Sequence, residues 1–411
     1  MATTFTAAVA QTVGGWTQAG GDAEHRGAVL DGLAPPYREA WSVSVPPGGQ
    51  DDLVGLSAPV IAGQTVVSVG PDAVIGVDLA SGDRRWLVER RPGPAASPAV
   101  AELGATTAVI FTEGGDLLVA SASATSTPSA SAPSSATTSP SGAAPDERPT
   151  RSPSPGGSPT RSASPATGGG GSSPSQLAAF DLDTRKSLWD PIDLGATSRT
   201  GVTVNGSVAY VGTTDGDVAA VDLRAGKVSW TAELGSDVIT AIAVTGDTVI
   251  VSVQGDRSQP PGVVALNAED GQQRWRVDGP TGSVLASAPS TDGHSVFVSF
   301  AGASEQVVEA AALADGAPQW STRISSPVDP AAAPIVTDDA VYLTNILGHS
   351  FRFAKGDGAR TWDFALNVTN LRSSAVVSGD AVVVGSSTGM LAAIDTASGH
   401  LIWRGDEAGG A

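Results

Sequence analysis

Tryptophan returns along this chain at a near-constant interval. After Trp16 it stands at positions 41, 86, 189, 230, 275, 320, 362 and 403, with spacings of 45, 103, 41, 45, 45, 42 and 41 residues. The one long gap holds a low-complexity stretch, residues 121–175, and falls into the same range without it. Four positions before these tryptophans, from Trp86 onward, comes Gly82, Gly226, Gly271, Gly316, Gly358 or Gly399, with Arg185 the single departure. Eight positions before comes Asp78, Asp181, Asp222, Asn267 or Asp395, while Ala312 and Ala354 depart. A fixed period of this length is the mark of a repeat architecture and constrains the fold more than any other feature of the sequence.

The chemistry of the spacing is local. Asp or Asn closes a strand by bonding the backbone that follows it, and Gly supplies a residue with positive φ for the turn. Tryptophan then opens the next strand, where its flat ring fills the gap to a neighbouring sheet. Upstream of these units lie apolar runs such as Val249-Ile250-Val251-Ser252 and Val382-Val383-Val384-Gly385. Short strands with turn signals between them, at about 42 residues per unit, select a β-propeller of four-stranded blades over a sandwich or a simple barrel. The repeat count favours seven blades, with eight as the alternative. In the seven-blade closure a strand over Tyr37–Val45, carrying Trp41, completes the last blade and leaves the strand at Trp403 surplus. Trp86, Trp189, Trp230, Trp275, Trp320, Trp362 and Trp403 are then the expected joints between blades.

The motif Ala-x-Asp-x-x-x-Gly-x-x-x-Trp, as in Ala220-Val221-Asp222…Gly226…Trp230 and Ala393-Ile394-Asp395…Gly399…Trp403, resembles the pyrroloquinoline-quinone (PQQ)-type propeller repeat. The opening Trp16-x-Gln-x-Gly-Gly-Asp-x-x-His-x-Gly is similar to the lead-in of such proteins. The resemblance covers nearly the whole sequence outside residues 1–15 and 121–175. That family includes quinoprotein alcohol dehydrogenases, the propeller lipoprotein of the outer-membrane barrel-assembly machinery and extracellular sensor domains of bacterial kinases. It implies the fold strongly and the activity weakly. Its quinone enzymes use an adjacent cysteine pair, a Ca²⁺ held by carboxylate and amide, and a catalytic Asp.

Cysteine is absent, which removes disulfides, thiolate catalysis and that cysteine pair. Asp215-Gly216-Asp217, Asp292-Gly293 and Asp270-Gly271 read as hairpin turns before they read as calcium loops. His294, His349 and His400 each neighbour a Gly in a turn, and His25 falls in the segment Trp16–Gly27, which lacks strand or helix periodicity and reads as a clasp or loop. No cofactor, metal site or catalytic residue is therefore assigned. A formal charge of −19 with 23 Lys and Arg against 42 Asp and Glu opposes nucleic-acid binding. No apolar run approaches the ~18 residues of a membrane span. Residues 1–15 read as a disordered tail without the basic and apolar regions of a signal peptide. Residues 121–175 are almost wholly Ser, Thr, Pro, Ala and Gly, a composition that cannot offset the entropy of ordering. They interrupt the second unit, within the propeller of residues 16–411, between a strand over Ala108–Thr112 and one over Leu177–Leu182.

A propeller works at the mouth where its innermost strands begin. Those starts fall near Ser57, Ser97, Arg199, Thr240, Ser287, Ala332 and Arg372. Arg199 and Arg372 are the candidate ligand residues, since a guanidinium there can hold a carboxylate or a peptide C-terminus. The expected function is a non-catalytic binding or scaffold module of the bacterial cell envelope, monomeric, with a protein or peptide partner on the mouth. Two alternatives stand beside it: a PQQ-dependent dehydrogenase, and the ligand-sensing domain of a membrane signalling protein. Serine- and proline-rich composition and the resemblance place the protein outside the cytoplasmic membrane, while the missing signal segment argues for the cytoplasm.

Overall fold

The structure is a computed structural model, and it describes residues 16–29, 32, 34–43, 56–116, 173–256, 258–302, 305–324, 332–366, 374–386 and 390–405. The tail at 1–15, Arg372 and nearly all of the 121–175 stretch lie outside these residues. All the described sheets belong to one compact unit, residues 1–117 with 172–411.

That unit is all-β, a propeller of sheets built on four-stranded antiparallel meanders in sequence order from the inner edge outward, the fifth and the last sheet each carrying one strand more. Seven such sheets occur among the described residues. The third shows the pattern: Thr203–Asn205, Val208–Gly212, Asp217–Asp222 and Lys227–Glu233. Its first three strands are almost continuously buried, because neighbouring sheets cover both faces. Its fourth is mostly exposed. The repeat motif acquires a structural reason here. Ala220 lies directly across from Trp230, and the register shifts at the next residue. Ala265 faces Trp275, Ala310 faces Trp320 and Ala393 faces Trp403 in the same way. A small residue opposite these indoles, and Gly76 opposite Trp86, leaves room for the ring on the shared face, whereas Trp362 has Arg352 across from it.

The core is divided among the seams between sheets. Tyr210, Val218 and Trp230 of the third sheet pack with Val244, Val251 and Leu266 of the fourth. Comparable clusters join the first and second sheets, through Val74, Val109 and Phe180, and the fifth and sixth, through Phe297, Trp320, Val341 and Phe353.

The sheets share a single inner element. Residues 16–27 run past the innermost strand of every sheet, and each strand donates one backbone N–H to them. Ile61 bonds Trp16 O at 2.7 Å, Val100 bonds Thr17 O at 2.8 Å and Val204 bonds Gln18 Oε1 at 2.6 Å. Val244 then bonds Ala23 O, Thr291 bonds Glu24 O, Val336 bonds Arg26 O and Val377 bonds Gly27 O, at 2.6 to 3.0 Å. Inner strands expose an unpaired edge that must find partners, and one short segment satisfies all seven in order. The segment folds back on itself at Gly20, where φ is +74° and a Cβ would fall 2.8 Å from the His25 backbone. It continues as Ala28–Val29, a parallel strand beside Val377–Ser378.

Three expectations are corrected. The strand expected over Tyr37–Val45 is absent from its described part, residues 37–43, and Leu401–Gly405 with Trp403 is the regular outer strand of the last sheet, not a surplus one. The outer place there is already filled, so the N-terminal stretch contributes an innermost strand instead. Tyr37 meets Trp403 edge-on at 5.1 Å, and Trp41 packs beside Ala73, Ile75 and Val77 of the first sheet. Second, Ser175 belongs to a strand, Ser175–Asp181, and is fully buried. Its hydroxyl donates to Gly114 O and accepts from Ser198 N, giving it partners that composition does not reveal. Third, Trp189 precedes its sheet's short outer strand, Ile192–Asp193, and does not open it.

Gln18 performs a strand's work with its side-chain amide. That amide accepts from Val204 N and donates to Val204 O at 3.1 Å, and the residue is only 4 % exposed. Replacing Gln18 by Leu keeps the volume and strands both backbone groups. The expected cost is about 2 kcal/mol, read as a lowered urea midpoint at unchanged slope.

Candidate docking rim and sheet joints

The joints repeat one geometry. Each indole N–H reaches the turn of the next sheet and donates to the carbonyl three residues before the repeat glycine. Trp230 bonds Ala268 O at 2.9 Å, Trp275 bonds Leu313 O at 2.9 Å, Trp320 bonds Lys355 O at 2.7 Å and Trp362 bonds Thr396 O at 3.0 Å. Trp41 bonds Leu79 O and Trp189 bonds Leu223 O likewise, at 3.0 and 3.2 Å. The glycine turn lies flat on the ring: a Cβ at Gly271 would stand 2.6 Å from Trp230, and at Gly399 2.7 Å from Trp362. The Asp of the repeat holds that turn, with Asp222 Oδ1 accepting from Arg224 N and Ala225 N. Asp78 does the same for Ala80 and Ser81 while pairing with Arg85, and these hydrogen bonds hold its carboxyl down at about 2. Trp86 and Trp403 depart from the rule. Trp403 meets Tyr37, and Trp86 meets Phe180 edge-on at 5.4 Å.

At the opposite ends of the inner strands, hydroxyls organise the rim. Ser57, Thr200 and Ser287 accept from Val69 N, Gly212 N and Ser299 N at 2.9 to 3.0 Å, twelve residues on in each case. Arg199 is exposed in the loop before the third sheet. That loop is fixed on both sides: Thr197 Oγ1 accepts from Asp116 N, Ala196 O accepts from Ser175 N, and Thr197 O accepts from Thr214 N. The loop that carries Arg199 is thus tied, through Thr197 and Ala196, to Asp116 and Ser175, which residues 117–174 separate in the sequence.

The connections that follow along this rim are acidic. Asp215 and Asp217 occupy the hairpin after Val208–Gly212, and Asp237 lies in the next connection. Burial first, then the charges of Glu233 and Asp215, raises the Asp217 carboxyl above its usual range. Burial and the charges of Asp215 and Asp256 do the same to Asp237. These carboxylates repel one another across the rim of the third and fourth sheets. Among the described residues no group of three or more His, Asp or Glu is arranged to hold a metal ion.

Two buried ionisable residues carry no signature in the sequence. Arg90 spreads its guanidinium over four carbonyls, those of Gly70, Gly93, Pro94 and Thr112, tying the first sheet to the second. Burial lowers its pKa to about 10, although the Glu113 and Asp72 charges work against the shift. His25 sits wholly buried in the central segment, and burial brings it down to about 4 against the pull of Asp22. His294 lies in a turn that Asp292 holds, and His349 opens a strand and stacks on Phe351 at 5.8 Å.

A family model described as outer membrane protein assembly factor BamB matches residues 173–308 and 261–409, together more than half of the chain. Curated proteins of that description are similar to it: one from Yersinia pestis is 24 % identical over 47 % of this chain and 53 % of its own length. One from Burkholderia pseudomallei is 24 % identical over 49 % and 64 %. The chain thus spans between half and two thirds of these relatives. Among solved structures, a quinohemoprotein alcohol dehydrogenase from Pseudomonas putida superposes with a TM-score of 0.62 at 12 % identity, covering 95 % of this chain and 72 % of the other. The computationally designed Ika8 protein gives 0.59 at 12 % identity, covering 93 % and 90 %. These two likenesses concern the fold alone.

Proposed function

The chain belongs to the PQQ-repeat family described as outer membrane protein assembly factor BamB, and on that premise we propose that it is a non-catalytic docking module of a protein assembly in the bacterial envelope. The observation that carries the reading is the central segment. Residues 16–27 take the free edge of all seven inner strands, the edge that would otherwise line an axial pocket. A partner is left with the rims. The residues do not fit a quinone either: cysteine is absent and the segment holds the inner edges.

The docking surface we assign is the rim of the third and fourth sheets, carried by Asp215, Asp217 and Asp237, with Arg199 as a candidate cation in the loop whose Thr197 O bonds Thr214 N of that hairpin. Crowded carboxylates gain from a basic partner, and such a contact weakens as salt rises. The partner is a protein with a basic face.

The test is affinity capture from host envelope and cytosolic fractions, comparing the wild-type protein with the double variant Asp217→Asn, Asp237→Asn. The expected result is a discrete envelope protein retained at low salt, released by roughly 0.5 M salt and depleted severalfold by the variant. Equal capture by wild type and variant overturns the rim assignment. An absorbance change on adding PQQ and Ca²⁺, with alcohol-dependent dye reduction, overturns the non-catalytic reading.

A further inference from the structure

The seam between the first and second sheets breaks the joint rule. Here the repeat glycine is Arg185, held at φ +57°. Its side chain turns back on its own loop, where Nη1 donates to Asp183 O and, at 3.4 Å, to Leu182 O. Leu182 O is the carbonyl that the indole takes at the other joints. Trp86 accordingly has no such bond among the described residues, and its ring rests instead on the edge of Phe180. A Cβ in place of the glycine hydrogen keeps the turn off the ring. A cavity of about 330 Å³ opens between the sheets, lined by Gln64, Thr65, Arg85, Trp86, Asp183 and Arg185, among others.

Most of the unspent polar groups in this cavity are donors. Arg85 is satisfied, by Asp78 through Nε and Nη2 and by Thr65 through Nη1. Among the described residues Arg185 is bonded through Nη1 alone, which leaves Nε–H and Nη2–H₂. The Trp86 Nε1–H and the Gln64 amide add to them. One wall carries the carboxylate of Asp183, so a bulky polyanion is disfavoured while a single carboxylate beside Arg185 is not. A planar acceptor with two oxygens matches a guanidinium edge and an indole N–H together.

We propose that this cavity is a carboxylate-binding site, made by the Gly-to-Arg departure at position 185, that receives an acidic side group or the free C-terminus of a partner protein. It is separate from the acidic rim and of opposite preference, so it stands or falls independently of the docking surface proposed above.

The test follows the indole N–H resonances of ¹⁵N-tryptophan-labelled full-length protein, with Trp86 assigned by the Trp86→Phe variant. Three probes are titrated: acetyl-Ala-Ala-Ala with a free C-terminus, the same peptide as its C-terminal amide, and acetyl-Ala-Glu-Ala-amide. The expected result is a saturable shift of the Trp86 resonance alone, with Kd on the order of 1 mM, by the first probe, the third or both, and none by the amide. Which of the two acts separates a terminal carboxylate from an acidic residue within a peptide. Arg185→Gly restores the common joint, and its Trp86 N–H is expected to exchange with solvent more slowly while the carboxylate response disappears. Arg185→Ala is expected to weaken binding about tenfold or more without closing the cavity. An equal shift by the amide probe, no shift by any probe, or undiminished binding by Arg185→Gly overturns the proposal.

Discussion

Acidification from pH 7 toward pH 4 is expected to release the central segment, through His25. The imidazole is wholly buried, and its pKa stands at about 4 against an ordinary 6.5, chiefly because burial penalises the charged ring. Its Nε2 lies 3.4 Å from Thr203 Oγ1, and that hydroxyl donates to Ile242 O at 2.6 Å, so its oxygen is left to accept from a neutral ring. Protonation adds a second N–H and a charge to this site. Of the charged groups around it, Asp22 favours the cation, but its carboxylate already accepts from Glu24 N, Arg26 N and Arg26 Nε. The folded pKa is lowered, so the unfolded protein binds more protons between the two values and stability rises with pH there. The contribution is complete above pH 6.5 and is lost as pH falls through the window toward 4, amounting to about 3 kcal/mol. Carboxylates add their own slope in the same range, which the variant His25→Gln subtracts. Urea titrations at pH 7 and pH 4.5 check this: wild type should lose about 2 to 3 kcal/mol more than His25→Gln over that interval. Equal losses in the two proteins contradict the prediction. Because the segment touches every sheet, its release should also speed hydrogen exchange at Ile61, Val100, Val204, Val244, Thr291, Val336 and Val377 together.

The parts of this structure that the sequence announces are those built from residue chemistry at short range. Asp222, Gly226 and Trp230 act within nine residues of one another, and each has a residue type that only a few positions tolerate. What it conceals is built from backbone. The carbonyls of Trp16, Thr17, Ala23, Glu24, Arg26 and Gly27 hold six of the seven inner strands, and a carbonyl leaves no trace in composition. Arg90 is invisible for the same reason, since its four acceptors are main-chain oxygens. Alternation over Tyr37–Val45 reads as a strand by local preference, and over the described residues 37–43 tertiary competition decides otherwise, the outer edge being occupied by Leu401–Gly405. On the rim, the place of Arg199 before an inner strand is readable from the sequence, and the structure puts it exposed in the loop before the third sheet. The crowding of the rim's carboxylates is not legible in the sequence, because Asp215 and Asp237 come from two connections that meet only in the fold.

The joint glycines carry the second large effect, and Gly358 is the sharpest case. Its φ is +68°, and a Cβ there would lie 2.4 Å from Trp320 Cε3, 2.6 Å from Cδ2 and 2.9 Å from Thr322 Oγ1. None of these can yield easily. The indole is fixed by its bond to Lys355 O and by packing on Phe297, and Thr322 Oγ1 donates to Gly358 O at 2.6 Å. Gly358→Val therefore combines a β-branched residue in the left-handed region with overpacking of a buried joint. Each costs about 1–3 kcal/mol, so a total near 4 kcal/mol is expected. The loss should appear in urea unfolding followed by tryptophan fluorescence, with a red shift of the native spectrum as Trp320 meets water. Arg185→Gly is the opposite substitution at the corresponding turn of the second sheet. There the ring already stands clear and φ is +57°, so removing the guanidinium and its stem relieves strain without opening a void, and stability should change by less than about 1 kcal/mol. A Gly358→Val protein as stable as wild type would mean that the turn, and not the ring, sets the distance between sheets. In that case the cavity beside Trp86 would owe nothing to Arg185. The two substitutions thus read one mechanism from both sides: the glycine is what lets a tryptophan close a seam, and its replacement by Arg185 is what leaves one seam open.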